Sequence, residues 1–190
     1  MSLELRRAGY RWPGGALALD DATIGLEPGR VLAILGPNGA GKSTLLGLAS
    51  GRLEPSGGEA LLDGKAIRAW ERRALARRLA HLPQVERLAF NYPVLDFVLL
   101  GRAPHVPSLA QPGPADLERA AAALAELGLS ALADRPVAEL SGGELQLVRL
   151  ARCLAQEAAY LLLDEPSTML DPANARRLAD ELKRLAESGR

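Results

Sequence analysis

The chain has 190 residues with 48% hydrophobic and 4% aromatic content, enough for one domain that buries roughly 70% of its unfolded surface. Lys+Arg and Asp+Glu balance at 23 each, for a net charge of zero, which argues against a strongly basic nucleic-acid surface. One cysteine, Cys153, makes no internal disulfide and suits a reducing compartment; no run reaches the roughly 18 apolar residues of a transmembrane helix, and the alternating start of the chain lacks the apolar segment of a secretory signal.

Leu3 and Leu5 alternate with polar neighbours and predict an early strand; Tyr10 and Trp12 follow, then a Pro13-Gly14-Gly15 turn. An aromatic here either stacks on an adenine ring, since every base presents a π-face, or covers the edge of a small sheet. Leu17, Leu19, Ala22, Ile24 and Leu26 predict a second strand, so an antiparallel flap precedes the short apolar run 31–35, which reads as a buried strand. Next stand Gly36, Pro37, Asn38, Gly39, Ala40, Gly41, Lys42, Ser43 and Thr44, the G-x-x-x-x-G-K-[ST] pattern of a P-loop. Its glycines let backbone N–H groups close around phosphate oxygens. Lys42 offers charge to the β- and γ-phosphates, Ser43 a hydroxyl to Mg²⁺, and a helix starting near Gly41 points its positive end at the same phosphates.

Residues 51–58 form a loop by composition, and 59–65 a strand entering the Asp63-Gly64 turn. A basic helix is predicted over 70–78, and residues 79–84 read as a strand ending in a loop, with Gln84 just past the strand's carboxyl end, where ligands bind in open α/β sheets. Residues 91–139 change character: helical 96–100, a Pro-rich loop over 104–114, and an Ala/Leu/Glu helix over 116–127 closed by Gly128. This reads as a helical insertion in an α/β domain.

Leu140-Ser141-Gly142-Gly143-Glu144 opens another helix, with Ser141 as N-cap and Glu144 completing a capping box; taken alone such an end reads either as an ordinary capped helix or as an anion site. Residues 160–166 carry a buried-strand signature that ends in Asp164 and Glu165; either the strand surfaces there with both carboxylates in water, or the adjacent carboxylates, costly to bury, are used. Beside a P-loop, Asp164 holds Mg²⁺ and Glu165 polarises the attacking water. A loop through Asp171 and an amphipathic helix over 173–188, with Leu178, Leu182 and Leu185 on one face, end the chain.

The P-loop, Leu140-Ser141-Gly142-Gly143-Glu144 and Leu163-Asp164-Glu165-Pro166, in this order and spacing, resemble the ATP-binding cassette (ABC) ATPases from about Leu3 to the last residue. The resemblance implies an α/β fold: a P-loop NTPase (RecA-like) core, an N-terminal antiparallel β subdomain and an inserted helical subdomain over about 86–155, in one domain spanning 1–190. It implies ATP and Mg²⁺, with Glu165, Gln84 and Lys42 in catalysis and Ser43, Gln84 and Asp164 at the metal. Two cassettes pair head to tail, so that each ATP lies on one P-loop and under the Ser141, Gly142 and Gly143 helix end of the other chain. Tyr10 matches the adenine-stacking aromatic, with Trp12 second, and Asp171 the acidic residue of the loop crossing between subunits. The partners implied are a second such subunit, membrane permease subunits and, indirectly, a substrate-binding protein, with no nucleic acid. The place implied is the cytoplasmic face of the inner or plasma membrane. Residues 91–105, with Gly101-Arg102-Ala103-Pro104-His105, are similar to the branch that imports iron-siderophore complexes, haem and cobalamin.

Two departures from the pattern stand out. Leu145 and Leu147 occupy positions where many members carry Arg, and Arg149 stands a turn away to compensate. The family's switch histidine follows a strand beyond the last helix. Here the only histidines are His81 and His105, and neither matches it. The expectation is therefore an ATP-hydrolysing import subunit. The alternatives are a cassette that binds nucleotide but hydrolyses little, or a soluble ABC protein without a transporter.

Overall fold

The computed structural model describes residues 2–86 and 90–189. Met1, Arg190 and the 87–89 stretch of the expected helical insertion lie outside the described residues. Two compact units emerge, one made of residues up to Leu75 with those from Asp180 onward, the other of Ala76–Ala179.

In the first unit, β1 (Leu3–Arg11) and β2 (Leu17–Leu26) pair antiparallel, with Leu3 opposite Leu26. Helix α1 (Lys42–Ala49) is followed by β3 (Gly57–Leu62) and β4 (Lys65–Ala66), giving one sheet of order β2-β1-β3-β4. Asp63 and Gly64 both take positive φ between β3 and β4, as a tight hairpin turn requires. Leu3, Leu5 and Ala8 of β1, Leu45 and Leu48 of α1 and Leu62 of β3 are buried together, which seats the P-loop helix on the antiparallel sheet.

The expected strand over 31–35 is not one of the sheet's strands. Among the described residues it has no ladder partner, and Val31, Leu32 and Leu35 are 64%, 47% and 91% exposed. An apolar run supplies the side chains of a buried strand, but neighbouring strands must supply the burial and the hydrogen bonds.

The basic helix expected over 70–78 shrinks to α2 (Arg72–Ala76), where Glu71 accepts the Arg73 and Ala74 N–H groups; α2 buries no residue, so nothing extends it. In the second unit, β5 (Leu79–Leu82) pairs in parallel with a distant strand, β6 below. Between them come α3 (Val94–Leu99), α4 (Pro114–Glu126) and α5 (Gly142–Ala155). These three helices pack on one another through Val94, Phe97, Val98, Ala120, Leu124, Leu147 and Leu150. β6 (Tyr160–Leu163) then aligns Leu79 with Tyr160 and Leu82 with Leu163, and Ala80, Leu82, Cys153 and Ala158 bury together beneath the pair. α6 (Pro172–Glu187) follows.

The Gly101-to-His105 stretch braces the far end of α5. A Cβ on Gly101 would lie 2.2 Å from the Arg152 carbonyl oxygen, so only glycine lets the backbones pass. The buried Arg102 guanidinium donates to the Ala155 carbonyl at 2.7 Å and pairs with Glu157 at 2.8 Å and Asp116 at 3.1 Å. His105 Nε2 lies 2.9 Å from the Gln156 carbonyl oxygen. Donors and positive charge thus meet the carbonyl end of a helix. No helix among the described residues is long and apolar enough to cross a membrane.

Candidate functional site

The first group of site residues belongs to the P-loop unit. Gly41 caps α1 at φ 88, and Gly39 stands at φ 82. A Cβ on Gly41 would sit 2.6 Å from the Ala18 carbonyl oxygen, so this turn admits no side chain. Ala40 N–H closes on the Pro37 carbonyl, and Lys42 Nζ donates to the carbonyls of Gly36 and Pro37, at 2.9 Å each. The ammonium is thereby held over the loop rather than extended into water. Gly36, Pro37, Asn38, Gly39 and Ala40 are exposed, and so is Ser43 at the first turn of α1, whereas Thr44 is buried in the core. A loop of open backbone with a lysine above it and a helix N-terminus below fits a polyphosphate. Tyr10 and Trp12 form an edge-to-face pair with ring centroids 5.0 Å apart.

The second group lies in the other unit. The β5–β6 ladder continues one step, with Asp164 N–H donating to the Leu82 carbonyl at 2.9 Å, and Asp164 is buried. Glu165 turns out of the strand at φ 49, a left-handed backbone that a non-glycine residue holds only when its surroundings impose it. Its Oε2 accepts the Gln84 side-chain amide at 2.7 Å and the Thr168 hydroxyl at 3.3 Å. Gln84 and Glu165, 81 residues apart, are therefore brought into direct contact.

The Ser141 end of α5 has the geometry that the sequence predicts. Ser141 N–H and Oγ donate to Glu144 Oε2 at 2.8 and 2.7 Å, and Glu144 N–H returns a bond to Ser141 Oγ. These bonds, with Arg135 nearby, hold the Glu144 carboxyl below its ordinary range. Gly142 makes room for Met169, whose Sδ would lie 3.2 Å from a Cβ placed there. Asp171 caps its own helix: its two carboxylate oxygens accept the Asn174 backbone N–H at 2.8 Å and side-chain amide at 3.0 Å.

Among the described residues no cluster of three His, Cys, Asp or Glu side chains forms a metal site. Each unit by itself presents a hard oxygen of the kind that suits Mg²⁺, the Ser43 hydroxyl in the first and the Asp164 carboxylate in the second.

Sequence reasoning missed Gln146 and Glu86, and singled out Arg149 only as a compensating arginine, not as a buried one. Arg149 donates to Glu86 at 3.1 Å, to Gln146 Oε1 at 2.8 Å and to the Pro83 carbonyl; Gln146 Nε2 donates to the Pro166 carbonyl at 3.1 Å. The available signal was their place three apart on the core-facing stripe of α5.

The family model for ABC transporters matches residues 19–168. The chain is 46% identical over 196 residues to the hemin import ATP-binding protein HmuV of Myxococcus xanthus, covering 100% of this chain and 72% of that protein. It is 44% identical over 181 residues to the protein of the same name in Pseudomonas entomophila, covering 93% and 69%. Among solved structures, a metal-chelate type ABC transporter in an inward-facing conformation matches with TM-score 0.83 and 36% identity over 98% of this chain and 68% of that one. A nucleotide-free ATP-binding cassette from an ABC transporter matches with TM-score 0.85 and 27% identity over 100% and 79%. With the phosphate loop, the capped glycine helix end and the Asp-Glu strand end all in place, the chain belongs to the ABC transporter ATP-binding family, whose members are ATPases.

Proposed function

We propose that this chain is the MgATP-hydrolysing subunit of an importer for haem, working on the cytoplasmic face of a membrane through permease partners. The observation that carries the cargo is the 46% identity, over the full chain, to a protein named for hemin import. A structural neighbour described as a metal-chelate type ABC transporter supports the same class.

The chemistry follows from the residues. Backbone N–H groups of Gly36, Pro37, Asn38, Gly39, Ala40 and Gly41 cradle the phosphates, with Lys42 neutralising their charge and Ser43 and Thr44 opening the helix beneath them. Ser43 and Asp164 are the oxygen donors for the Mg²⁺ that accompanies ATP. Glu165 is the general base for the attacking water, and Gln84 orients the carboxylate and that water. Ser141, Gly142 and Gly143 face the nucleotide of a second copy of the chain, where a capped helix N-terminus meets phosphate charge. Tyr10 stacks on the adenine, and Asp171 stiffens the loop between the copies by capping α6. The helical subdomain over about 86–155 carries the Ser141 helix end within a single 1–190 cassette.

The test is transport. The chain, co-produced with its permease and a periplasmic binding protein in lipid vesicles, is expected to hydrolyse ATP faster when that binding protein carries haem. Stimulation by a ferric siderophore or cobalamin, and none by haem, overturns the cargo. Turnover wholly independent of any permease overturns the transport role.

A further inference from the structure

The contact between Gln84 and Glu165 is held from behind by α5. Pro83 immediately precedes Gln84, and Pro166 immediately follows Glu165. Arg149 donates to the Pro83 carbonyl; Arg149 also donates to Gln146 Oε1 at 2.8 Å, and Gln146 Nε2 donates to the Pro166 carbonyl at 3.1 Å. One short path of hydrogen bonds through two buried side chains thus ties together the backbone beside each partner of the catalytic pair. Both residues are 7% exposed. Inside a protein such a path is stiff, because an unmade bond leaves a buried polar group without water.

The path is anchored at Glu86, in the same loop as Gln84. Its carboxylate accepts Arg149 at 3.1 Å and a two-pronged contact from Arg152 at 2.7 and 2.8 Å. Burial pushes the Glu86 carboxyl up, but the hydrogen bonds and charges of Arg152 and Arg149 outweigh it, and the group lies below its ordinary value. Glu86 is thus charged near neutral pH, and Arg149 is fixed at a position where an arginine on a helix would ordinarily lie along the surface.

From this geometry we infer that Arg149, relayed by Gln146, is a positioning residue for ATP hydrolysis: it sets where Gln84 meets Glu165, without touching nucleotide. The inference rests on the reading of Glu165 as the general base. A planar guanidinium is needed, because its fork reaches Pro83, Gln146 and Glu86 at once. The same path lets a displacement of the Gln84 loop reach the backbone beside the base.

The test uses the full 190-residue chain and two readouts. In ¹⁵N spectra, the Gln84 side-chain amide is identified by its loss in Q84A. It is expected to shift in E165Q, and to shift again in R149M and Q146M. In ATP turnover, R149M and Q146M are expected to lower kcat by about tenfold or more, in keeping with the cost of a misplacement of about 1 Å, while nucleotide affinity stays within about twofold. R149K is expected to recover part of the loss, since an ammonium keeps the charge but not the fork. R149M combined with Q84A is expected to be no slower than Q84A alone, because both act on one contact. Should R149M fail to fold, Q146M breaks the same path and keeps the Glu86–Arg149 ion pair.

An unmoved Gln84 amide in R149M and Q146M overturns the inference, as does a kcat loss that multiplies with that of Q84A. Normal turnover by E165Q instead overturns the reading of Glu165 as base, and the amide shifts tell that outcome apart.

Discussion

Gln84 donates its side-chain amide to Glu165 at 2.7 Å, across 81 residues of sequence. The carboxylate so engaged leaves β6 on a left-handed backbone, with Thr168 as its second donor. If Glu165 is the base, E165Q keeps nucleotide binding and loses about 10²- to 10⁴-fold in hydrolysis, the range for a general base. Q84A loses less, because it removes an orienting group. Phosphate release and equilibrium nucleotide binding on the same samples check both.

The P-loop separates two kinds of damage. K42A removes a charge whose two loop contacts are exposed, so its melting temperature is expected to stay near that of the parent while nucleotide affinity collapses. G41A forces a Cβ into φ 88 at 2.6 Å from the Ala18 carbonyl, and is expected to lose about 1–3 kcal/mol of stability as well as affinity. Equal thermal shifts in the two variants would contradict this division.

Arg102 is a buried charged side chain in the helical part. Its side chain is 8% exposed and meets Asp116, Glu157 and the Ala155 carbonyl. R102M strands these partners, the Ala155 carbonyl among them, and is expected to lower the urea midpoint clearly. Urea unfolding measures it, and an unchanged midpoint contradicts the buried brace.

Acid is expected to weaken the fold through carboxylates held below their ordinary range. Burial opposes the shift at Glu86, but its bonds to Arg152 and Arg149 prevail. At Glu144 the Ser141 side chain and N–H are the main cause. A depressed folded value means that stability is fully present above the unfolded value, 4.5 for Glu, and is lost as pH falls below it through the folded values. Urea midpoints between pH 7 and pH 3 should therefore fall mainly below about 4.5, and E86Q should flatten part of that fall.

Cys153 lies in the core beneath β5 and β6, and burial raises its thiol to about 11. The native chain is expected to resist a thiol reagent at pH 8 and to react once unfolded in urea, since only thiolate attacks. Rapid labelling of the folded chain would place Cys153 at the surface instead.

What the sequence by itself determined was local. The glycines around Lys42 and the box between Ser141 and Glu144 depend on neighbours within a turn or two. Their backbone angles and bonds are therefore written in adjacent residues. Only the tertiary structure decided what depends on distant chain. It set Gln84 against Glu165, turned Arg149 and Gln146 inward, and gave Gly101, Arg102 and His105 the end of α5 to brace. It also left 31–35 outside any ladder, although its composition reads as a buried strand. Hydrogen bonds and burial between remote segments are set by which elements pack together, and an arginine or an apolar run carries no label of its partner.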